Sequence, residues 1–360
     1  MQYAICLGGG LSQLELIKTI KELGFKIIVV DKNRNCPGFK LTNHKVNLST
    51  HDYLNIKKYF DSNFNKELIA FIFNRSSGNP VKTVAELSKY LGIKSFNINT
   101  ALLATGKYEI KRFLSTKNID TPKTEIISKN LKNLKLDFPL IIKPDYSEGG
   151  KKGIFLIKDL NRLNLLLESN DFFSNPNNKF IIEEYIKGVD YNVGGLCKDG
   201  IFYPYACVKE WHNIDKRNGK IEVFAASTFP LNKNNKISQD LINISQKIIK
   251  ALKVENSFCW ISIRKSFDNE KYYFIEIHLD MGGDFLLDYL LPTATSKKKF
   301  LKYLIKLFTK GNPEELSNIN LNYKLVSIEY DKGSKKTYDG RNFNLKEFES
   351  EELLEKYLNN

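Results

Sequence analysis

The N-terminal quarter of the chain alternates between strand and helix patterns, and this alternation restricts the folds open to it. Short apolar runs are typical of buried strands at Tyr3–Leu7, Lys26–Val30, His44–Leu48 and Leu68–Phe73. Apolar residues recur at helical spacing in Leu11–Leu23 and Val81–Leu91, and Gly24 and Gly92 follow as C-terminal caps. Strands that alternate with helices predict a parallel sheet with helices packed on its faces.

The pattern changes between residues 120 and 200, after a segment with helical spacing at residues 99–118. Five apolar runs follow one another closely and predict strands at Thr124–Ile127, Leu140–Lys143, Ile154–Ile157, Phe180–Glu184 and Tyr191–Leu196. One helix is predicted between the third and fourth strands, at Asn161–Leu167. Strands this close together predict antiparallel pairing with one packed helix.

Strands and helices mix again after residue 200, with helices predicted at Ser238–Leu252 and Lys297–Thr309. The polar tail from residue 311 predicts a small sheet and a final helix at Leu345–Leu358. A chain of 360 residues is long enough for several cores. We therefore predict four units, at residues 1–96, 97–200, 201–310 and 311–360, in a fold that combines α/β and α+β classes.

Composition narrows the class of protein. The chain has 55 Lys and Arg against 41 Asp and Glu, which gives a net charge of +14. Because the lysines are spread along the chain without a dense basic tract, the charge favours small anionic ligands over nucleic acid. No apolar run is long enough to span a membrane. The five scattered cysteines predict a reducing, cytoplasmic compartment.

The segment Phe138–Gly153, FPLIIKPDYSEGGKKG, predicts a phosphate site. Its apolar run ends at Lys143. The loop that follows carries one serine and three glycines, Ser147, Gly149, Gly150 and Gly153. Glycine lets the backbone approach phosphate oxygens closely, and the lysine supplies positive charge. The spacing is not that of a P-loop. The alternative is a lysine that extends from the strand end into solvent.

A second glycine-rich turn, Gly8–Gly10, lies between the first strand and the first helix. With Asp31 at the end of the second strand, it suggests a Rossmann site for NAD. The G-x-G-x-x-G spacing is incomplete, so a tight strand-to-helix turn is the simpler interpretation.

Two later strands end in polar residues. Phe180–Tyr191 passes from an apolar run into carboxylates and a turn, an arrangement that can bind an adenine edge and ribose hydroxyls. A solvated strand end is the commoner alternative. In Phe274–Asp284, the side chains of Glu276, His278 and Asp280 alternate onto one strand face. Such a face can bind a cation, although an exposed edge strand has the same pattern.

Taken in order, these segments resemble the ATP-grasp ligases, especially the group related to carbamoyl phosphate synthetase and the amino-acid ligases. The resemblance runs from residue 1 to about residue 295. It implies a Rossmann-like parallel α/β domain in residues 1–96, followed by a two-part ATP-grasp fold. Residues 97–200 would form the small part and residues 201–310 the part that carries the metal-binding strand.

The resemblance also implies a role for individual residues in binding ATP. Lys107 and Lys143 would contact the phosphates, and the loop at residues 147–153 would close over them. The nucleoside contacts that it implies are Glu183, Glu184, Tyr185 and Ile186 for adenine and Asp190 for ribose.

The metal-binding strand departs from the family pattern. The resemblance implies Mg²⁺ or Mn²⁺ ligands at Glu276, His278 and Ser262. In the family motif E-x-N-x-R, however, His278 stands at the asparagine and Asp280 at the arginine, while Ser262 stands where a carboxylate is expected. Fewer oxygen donors weaken a two-metal site. Asp280 is then a metal ligand, a residue that recognises a cationic substrate group, or a sign of lost activity.

The activity implied is an ATP-dependent ligase that joins a carboxylate to an amine or another nucleophile through an acyl phosphate. Lys143, Glu276 and Asp280 would lie at the reacting phosphate. The expected partners are small carboxylates and amines, with neither nucleic acid nor membrane, and family members are often dimers. The second hypothesis is an ATP-grasp protein that binds nucleotide without catalysis, and the third is an NAD-dependent Rossmann enzyme.

The acceptor site is expected at a loop that follows the fourth predicted strand. The resemblance implies that this loop, Arg75, Ser76, Ser77 and Gly78, lines the acceptor cleft. The alternative is a loop in which Ser77 or Asn79 caps the following helix. A polar loop is also predicted, with His212, Lys216 and Arg217, which either folds over substrate or is solvated.

Overall fold

The computed structural model describes residues 2–127, 134–146, 153–168, 179–232, 234–282, 285–295, 299–319, 321–330, 336–338 and 341–359. The strands of its first unit are β1 (Tyr3–Leu7), β2 (Lys26–Val30), β3 (His44–Val46) and β4 (Ile69–Asn74). The helices are α1 (Leu14–Glu22), α2 (Tyr53–Asn63) and α3 (Asn79–Leu91). The strands form a parallel sheet in the order β3-β2-β1-β4, as predicted.

Both faces of this sheet are covered. Ala4 and Cys6 of β1 belong to a core that includes α1, whereas Ile5 and Leu7 belong to a second core that includes α2 and α3. Successive side chains of a strand point to opposite faces, so a sheet covered by helices needs continuous apolar runs. This requirement explains why the first unit could be predicted from its sequence.

The single helix predicted at residues 99–118 is two helices, α4 (Ile98–Thr105) and α5 (Lys107–Ser115). Gly106 separates them with an extended backbone, at φ −112° and ψ 109°. The amide of Lys107 donates instead to the carbonyl of Asp145, at 3.1 Å. The break therefore ties the start of α5 to the next unit of the chain.

That unit is an antiparallel sheet with one helix, as predicted. Its elements are β5 (Thr124–Ile126), β6 (Leu140–Pro144), β7 (Phe155–Ile157), α6 (Leu160–Glu168) and β8 (Phe180–Glu184). The strand order is β5-β8-β6-β7. Leu140, Ile142, Leu163 and Ile182 share its small core.

The remaining strands build one large antiparallel sheet. In chain order its elements are β9 (Gly188–Lys198), β10 (Ile201–Ile214), β11 (Ile221–Phe229), α7 (Lys236–Leu252), β12 (Ser257–Ser266) and β13 (Tyr272–His278). After these come α8 (Leu291–Ala294), α9 (Phe300–Thr309), β14 (Leu325–Tyr330), β15 (Lys336–Tyr338), β16 (Arg341–Phe348) and α10 (Glu351–Asn359). The sheet order is β13-β12-β9-β10-β11-β14-β16-β15.

Two predictions about these elements are wrong. The strand at Tyr191–Leu196 was expected to join the strands of residues 120–200, but β9 pairs with β10 and β12 in the large sheet. The final helix predicted at Leu345–Leu358 begins only at Glu351, because the residues before it form β16 and pair with β14. The hydroxyl of Ser350 accepts a hydrogen bond from the Leu353 amide and so caps the N-terminus of this helix.

The small sheet is joined to the large one at the tip of the β10–β11 hairpin. The amide of Leu156 donates to the Gly219 carbonyl at 2.8 Å, and the amide of Ile221 donates to the Ile154 carbonyl at 3.0 Å. The two sheets therefore enclose a cleft. Among the described residues, no helix combines the length and apolarity needed to cross a bilayer.

Candidate functional site

Four neighbouring strands of the large sheet place polar side chains on the floor of this cleft. In the register of the sheet, Asp190 of β9 lies opposite Arg264 of β12, and Ser262 lies opposite both Asn192 of β9 and Glu276 of β13. The small sheet contributes Lys143 and Glu183 to the other wall of the cleft, and Ile186, in the link between β8 and β9, lines it as well. The open volume between the sheets is about 720 Å³.

The lysine of the predicted phosphate site is buried and paired. Lys143, at the end of β6, is only 4 % exposed, and its Nζ lies 2.8 Å from Oε2 of Glu183. The other oxygen of Glu183 accepts from Lys111 of α5. Burial opposes the charged form of Lys143, but Glu183 and Glu276 outweigh it and raise its pKa. The cation that would contact phosphate is thus fixed by an internal carboxylate.

Lys107 approaches the same region from the start of α5. The carboxylate of Asp145 accepts the Tyr108 amide at 2.8 Å and so caps the first turn of this helix. This capping aims Lys107 at Glu276, with 3.8 Å between Nζ and Oε2. Burial lowers the pKa of Lys107 below that of an ordinary lysine. The two lysines of the prediction therefore both lie near Glu276.

The backbone segment expected to bind adenine is hydrogen-bonded to an arginine that was not predicted from the sequence. Arg264 donates from Nη1 to the Ile186 carbonyl at 3.1 Å. It also makes a two-pronged contact with Asp190, at 2.5 Å from Nε and 2.6 Å from Nη2. The guanidinium lies 5.8 Å from the centre of the Tyr185 ring. Asp190, the predicted ribose ligand, is therefore fixed in place by Arg264.

Two further details complete this end of the cleft. Glu184 accepts the amide of Lys123 at 2.9 Å, so its carboxylate helps to join β8 to β5. His212 is on β10, not in a loop, and its Nδ1 lies 3.3 Å from Asp190. Lys216 and Arg217 lie in the turn beyond that strand.

At the other end of the cleft, Glu276, His278 and Asp280 lie together as their alternation predicted. His278 Nε2 is 3.4 Å from Oε1 of Glu276, and His278 Nδ1 is 3.1 Å from the hydroxyl of Ser77. Burial would raise the pKa of Glu276, but His278, Lys107 and Lys143 hold it well below its usual value. Burial opposes protonation of His278, yet Glu276 raises its pKa.

A cavity of about 420 Å³ lies beside these residues. Ser77 and Gly78, at the start of α3, line it together with Lys107, His278 and Asp280. The other two residues of the predicted acceptor loop lie elsewhere. Arg75 is buried in an ion pair with Asp288, at 3.1 Å, and the amide of Ser76 bonds the side chain of Asn74.

The residues predicted to bind metal do not fit a pair of protein-held Mg²⁺ ions. Glu276 is the one carboxylate of the set, and both its oxygens face nitrogen groups, on Lys107 and His278. The hydroxyl of Ser262 donates to Asn192. Within the described residues there is no cluster of three His, Cys, Asp or Glu side chains that could hold a metal. Glu276 remains as a single carboxylate contact for an ion that enters with a nucleotide.

The suggested NAD site has a structural explanation. The carboxylate of Asp31 accepts the amide of Gly9 at 2.8 Å and that of Asn33 at 2.8 Å. Asp31 therefore fixes the glycine turn after β1. Of the predicted phosphate loop, Gly153 is described, with φ +73°, whereas Ser147, Gly149 and Gly150 lie outside the described residues.

Comparison with known proteins confirms the resemblance to the ATP-grasp ligases. Residues 104–278 match the family model described as "ATP-grasp domain". A D-alanine–D-alanine ligase of Wolbachia sp. subsp. Drosophila simulans (strain wRi) is 31% identical over 165 residues, which cover 43% of this chain and 51% of the relative. A formate-dependent phosphoribosylglycinamide formyltransferase of Prochlorococcus marinus (strain MIT 9515) is 26% identical over 262 residues, or 69% and 63% of the two chains.

Among solved structures, the L-amino acid ligase from Bacillus licheniformis superimposes with a TM-score of 0.73, over 100% of this chain and 96% of that one. At 14% identity this likeness shows the fold. The chain spans less than two thirds of the length of the two curated relatives.

Proposed function

The chain carries an ATP-grasp domain at residues 104–278, and on that basis we propose that it is an ATP-dependent ligase. The reaction would join a small carboxylate to an amine or a related nucleophile. One observation supports this most directly. Lys143 and Glu276, from two different sheets, line the same cleft, so a cation for phosphate and a carboxylate face one shared space.

The residues around the cleft divide the work of binding ATP. Lys143 and Lys107 neutralise phosphate charge, since lysine is an effective point charge for phosphate oxygens. The backbone near Ile186 meets adenine, and Asp190, oriented by Arg264, meets ribose. A Mg²⁺ or Mn²⁺ ion bound with the phosphates would offset more of their charge, and Glu276 is the side chain placed to contact it.

The chemistry follows from placing the two substrates at the end of the phosphates. A carboxylate oxygen attacks the γ-phosphorus and ADP leaves, which gives an acyl phosphate. The amine nitrogen then attacks the acyl carbon, phosphate leaves, and the nitrogen loses a proton. Phosphoryl transfer depends mainly on position and charge neutralisation, which the fixed lysines supply. The hairpin contacts at Gly219 hold the small sheet against the large one and reduce access of water.

Substitution of Lys143 tests the nucleotide site. In Lys143→Ala, Glu183 keeps Lys111 as its partner, so the fold should be retained. Loss of one charge-assisted contact should weaken ATP binding by about 10- to 100-fold. Isothermal titration calorimetry with ATP measures this loss, and the exposed Lys135→Ala is the control of equal charge. If Lys143→Ala binds ATP as tightly as the wild type, Lys143 does not contact the phosphates and the proposed nucleotide site is wrong.

A second candidate function is nucleotide binding without ligation. It is supported by the metal-binding strand, where Glu276 is the one carboxylate of the predicted ligand set. An assay of ADP release over a panel of carboxylic acids and amines separates the two proposals. Turnover with any pair excludes the second candidate, whereas tight ATP binding without turnover for any pair favours it.

A further inference from the structure

We propose that the cavity between α3, α5 and the end of β13 binds the ammonium group of a small primary amine, with Asp280 as its counter-charge. The inference rests on the proposed function, in which an amine is the acceptor, and it adds the chemical class of the acceptor and the residue that selects it.

The argument begins with the contacts of Asp280. Its side chain lines the cavity, and the residue is only 5 % exposed. Oδ1 accepts the amide of Gly282 at 2.7 Å, and Oδ2 accepts the hydroxyl of Ser77 at 3.1 Å. Both donors are neutral. Within the part of the chain that the structure describes, no Lys, Arg or His nitrogen lies within 4.0 Å of this carboxylate.

The neighbouring cations are already engaged elsewhere. Lys107 and the Nε2 atom of His278 face Glu276, and the Nδ1 atom of His278 reaches Ser77 instead of Asp280. Arg75 donates to the carbonyl of Gly282 at 3.3 Å and forms its ion pair with Asp288. Asp280 therefore makes no direct ion pair among the described residues, and its link to His278 runs through the hydroxyl of Ser77. A charge-assisted contact to a buried carboxylate is stronger than one from a neutral donor, so a bound ammonium group would supply the direct partner that Asp280 lacks.

The residues that line the cavity indicate what kind of cation it would hold. One end is polar, with the hydroxyl of Ser77 and the carboxylate of Asp280. Lys107, Glu276 and His278 also line the cavity, and an apolar part is supplied by Val81, Ala104, Ile110 and Leu279. These apolar side chains would contact the short apolar body of an amine whose ammonium group lies at Asp280.

The position of the cavity also fits an acceptor. Glu276 and its strand border both this cavity and the larger nucleotide cleft. An amine held at Asp280 would therefore lie next to the end of the cleft where the phosphates meet Glu276. At its Asp280 end, the cavity would favour an amine over a free carboxylate, because the carboxylate of Asp280 repels a second negative charge.

The binding test uses three molecules of nearly equal shape, namely propylamine, 1-propanol and propionate. Ligand-observed NMR titrations follow their binding to the full-length protein and to Asp280→Asn. We expect propylamine to bind at least about tenfold more tightly than the other two, and Asp280→Asn to lose that preference. The surface variant Asp137→Asn, which removes the same charge, should keep it. Equal affinity for amine and alcohol, or no binding of the amine to the wild type, overturns the proposal.

A second measurement does not depend on the probe. If Asp280 is a buried charge that awaits a ligand, Asp280→Asn should raise the melting temperature of the free protein, because the neutral amide costs less to bury. A lower melting temperature would show that the carboxylate is structural, and would overturn the proposal. ATP titrations of Asp280→Asn keep the two proposals apart. If Asp280→Asn binds both ATP and propylamine as the wild type does, this inference is wrong while the proposed function stands. The affinity of Lys143→Ala for ATP tests only the nucleotide site.

Discussion

The carboxylates at the two ends of the cleft differ in how closely they are paired with positive charge. At the nucleotide end, Glu183 joins Lys143 and Lys111, and Asp190 is matched by two nitrogens of Arg264. At the other end, Glu276 has looser contacts, at 3.4 and 3.8 Å, and Asp280 has neutral donors alone among the described residues. The first end is therefore held by close ion pairs in the free protein. The second end has fewer close partners for its carboxylates, and in the proposed function the substrates would supply them.

The largest effect is expected for Glu183→Gln, which tests the pairing at the nucleotide end. The change leaves Lys111 and Lys143 buried without their shared carboxylate, and uncompensated buried charge costs about 3–5 kcal/mol of folding free energy. Urea denaturation measures the loss. Glu184→Gln is the control on the neighbouring residue, where an amide can still accept from Lys123. A loss no greater than that of the control would mean that the buried ion pairs do not organise this end.

Glu276→Gln tests the other end through catalysis. Its oxygens face Lys107 and His278 where phosphate and acceptor would meet, so ADP release should fall by about 100- to 1000-fold. Affinity for ATP should change only a few-fold, because Lys143 and the Ile186 backbone are untouched. An ATP affinity that falls as far as turnover would show that Glu276 belongs to the binding end.

Arg264→Ala should have a smaller effect, confined to the nucleotide end. The arginine links the Ile186 carbonyl to Asp190, so its loss should weaken ATP binding by about tenfold, or about 1.4 kcal/mol. Lys265→Ala is a matched control on the opposite face of β12, where the lysine pairs with Glu270. If both variants bind ATP equally well, Arg264 does not position the nucleotide.

Local patterns explain what could be predicted from the sequence. The buried strands of the first unit have continuous apolar runs, and the alternation of Glu276, His278 and Asp280 follows from the two-residue period of a strand. Lys143 could be assigned because it ends an apolar strand before a glycine-rich loop.

Partners that meet across the fold could not be predicted in the same way. Arg264 reaches Asp190 because β12 pairs with β9, and this register is fixed by packing of residues about 70 positions apart. Its local signal was the alternation of polar Ser262 and Arg264 with the apolar residues Ile261 and Ile263. Lys111 did carry a signal, since it lies one helical turn after Lys107 on α5. The helix predicted at Leu345–Leu358 was wrong only before Glu351. Its first apolar residues match helical spacing, but they pair with β14 as part of β16.

Lys111→Met should change stability least, and it tests whether the ion pairs of the nucleotide end act separately. Glu183 keeps Lys143 at 2.8 Å, so at pH 7 the change should shift the free energy of unfolding by less than about 1 kcal/mol. Burial lowers the pKa of Lys111 from 10.5 to about 7, against the pull of Glu183. Between these two values the unfolded chain binds a proton that the folded protein lacks, so Lys111 makes stability rise with pH.

Urea denaturation at pH 7 and pH 9.5 should therefore show a smaller rise of stability in Lys111→Met than in the wild type. The exposed Lys89→Met should keep the slope of the wild type, because its lysine is solvated in both states. If Lys111→Met is instead as unstable as Glu183→Gln, the carboxylate needs both lysines. The nucleotide end would then be a single three-residue unit, and removing either cation would disturb the position of the other.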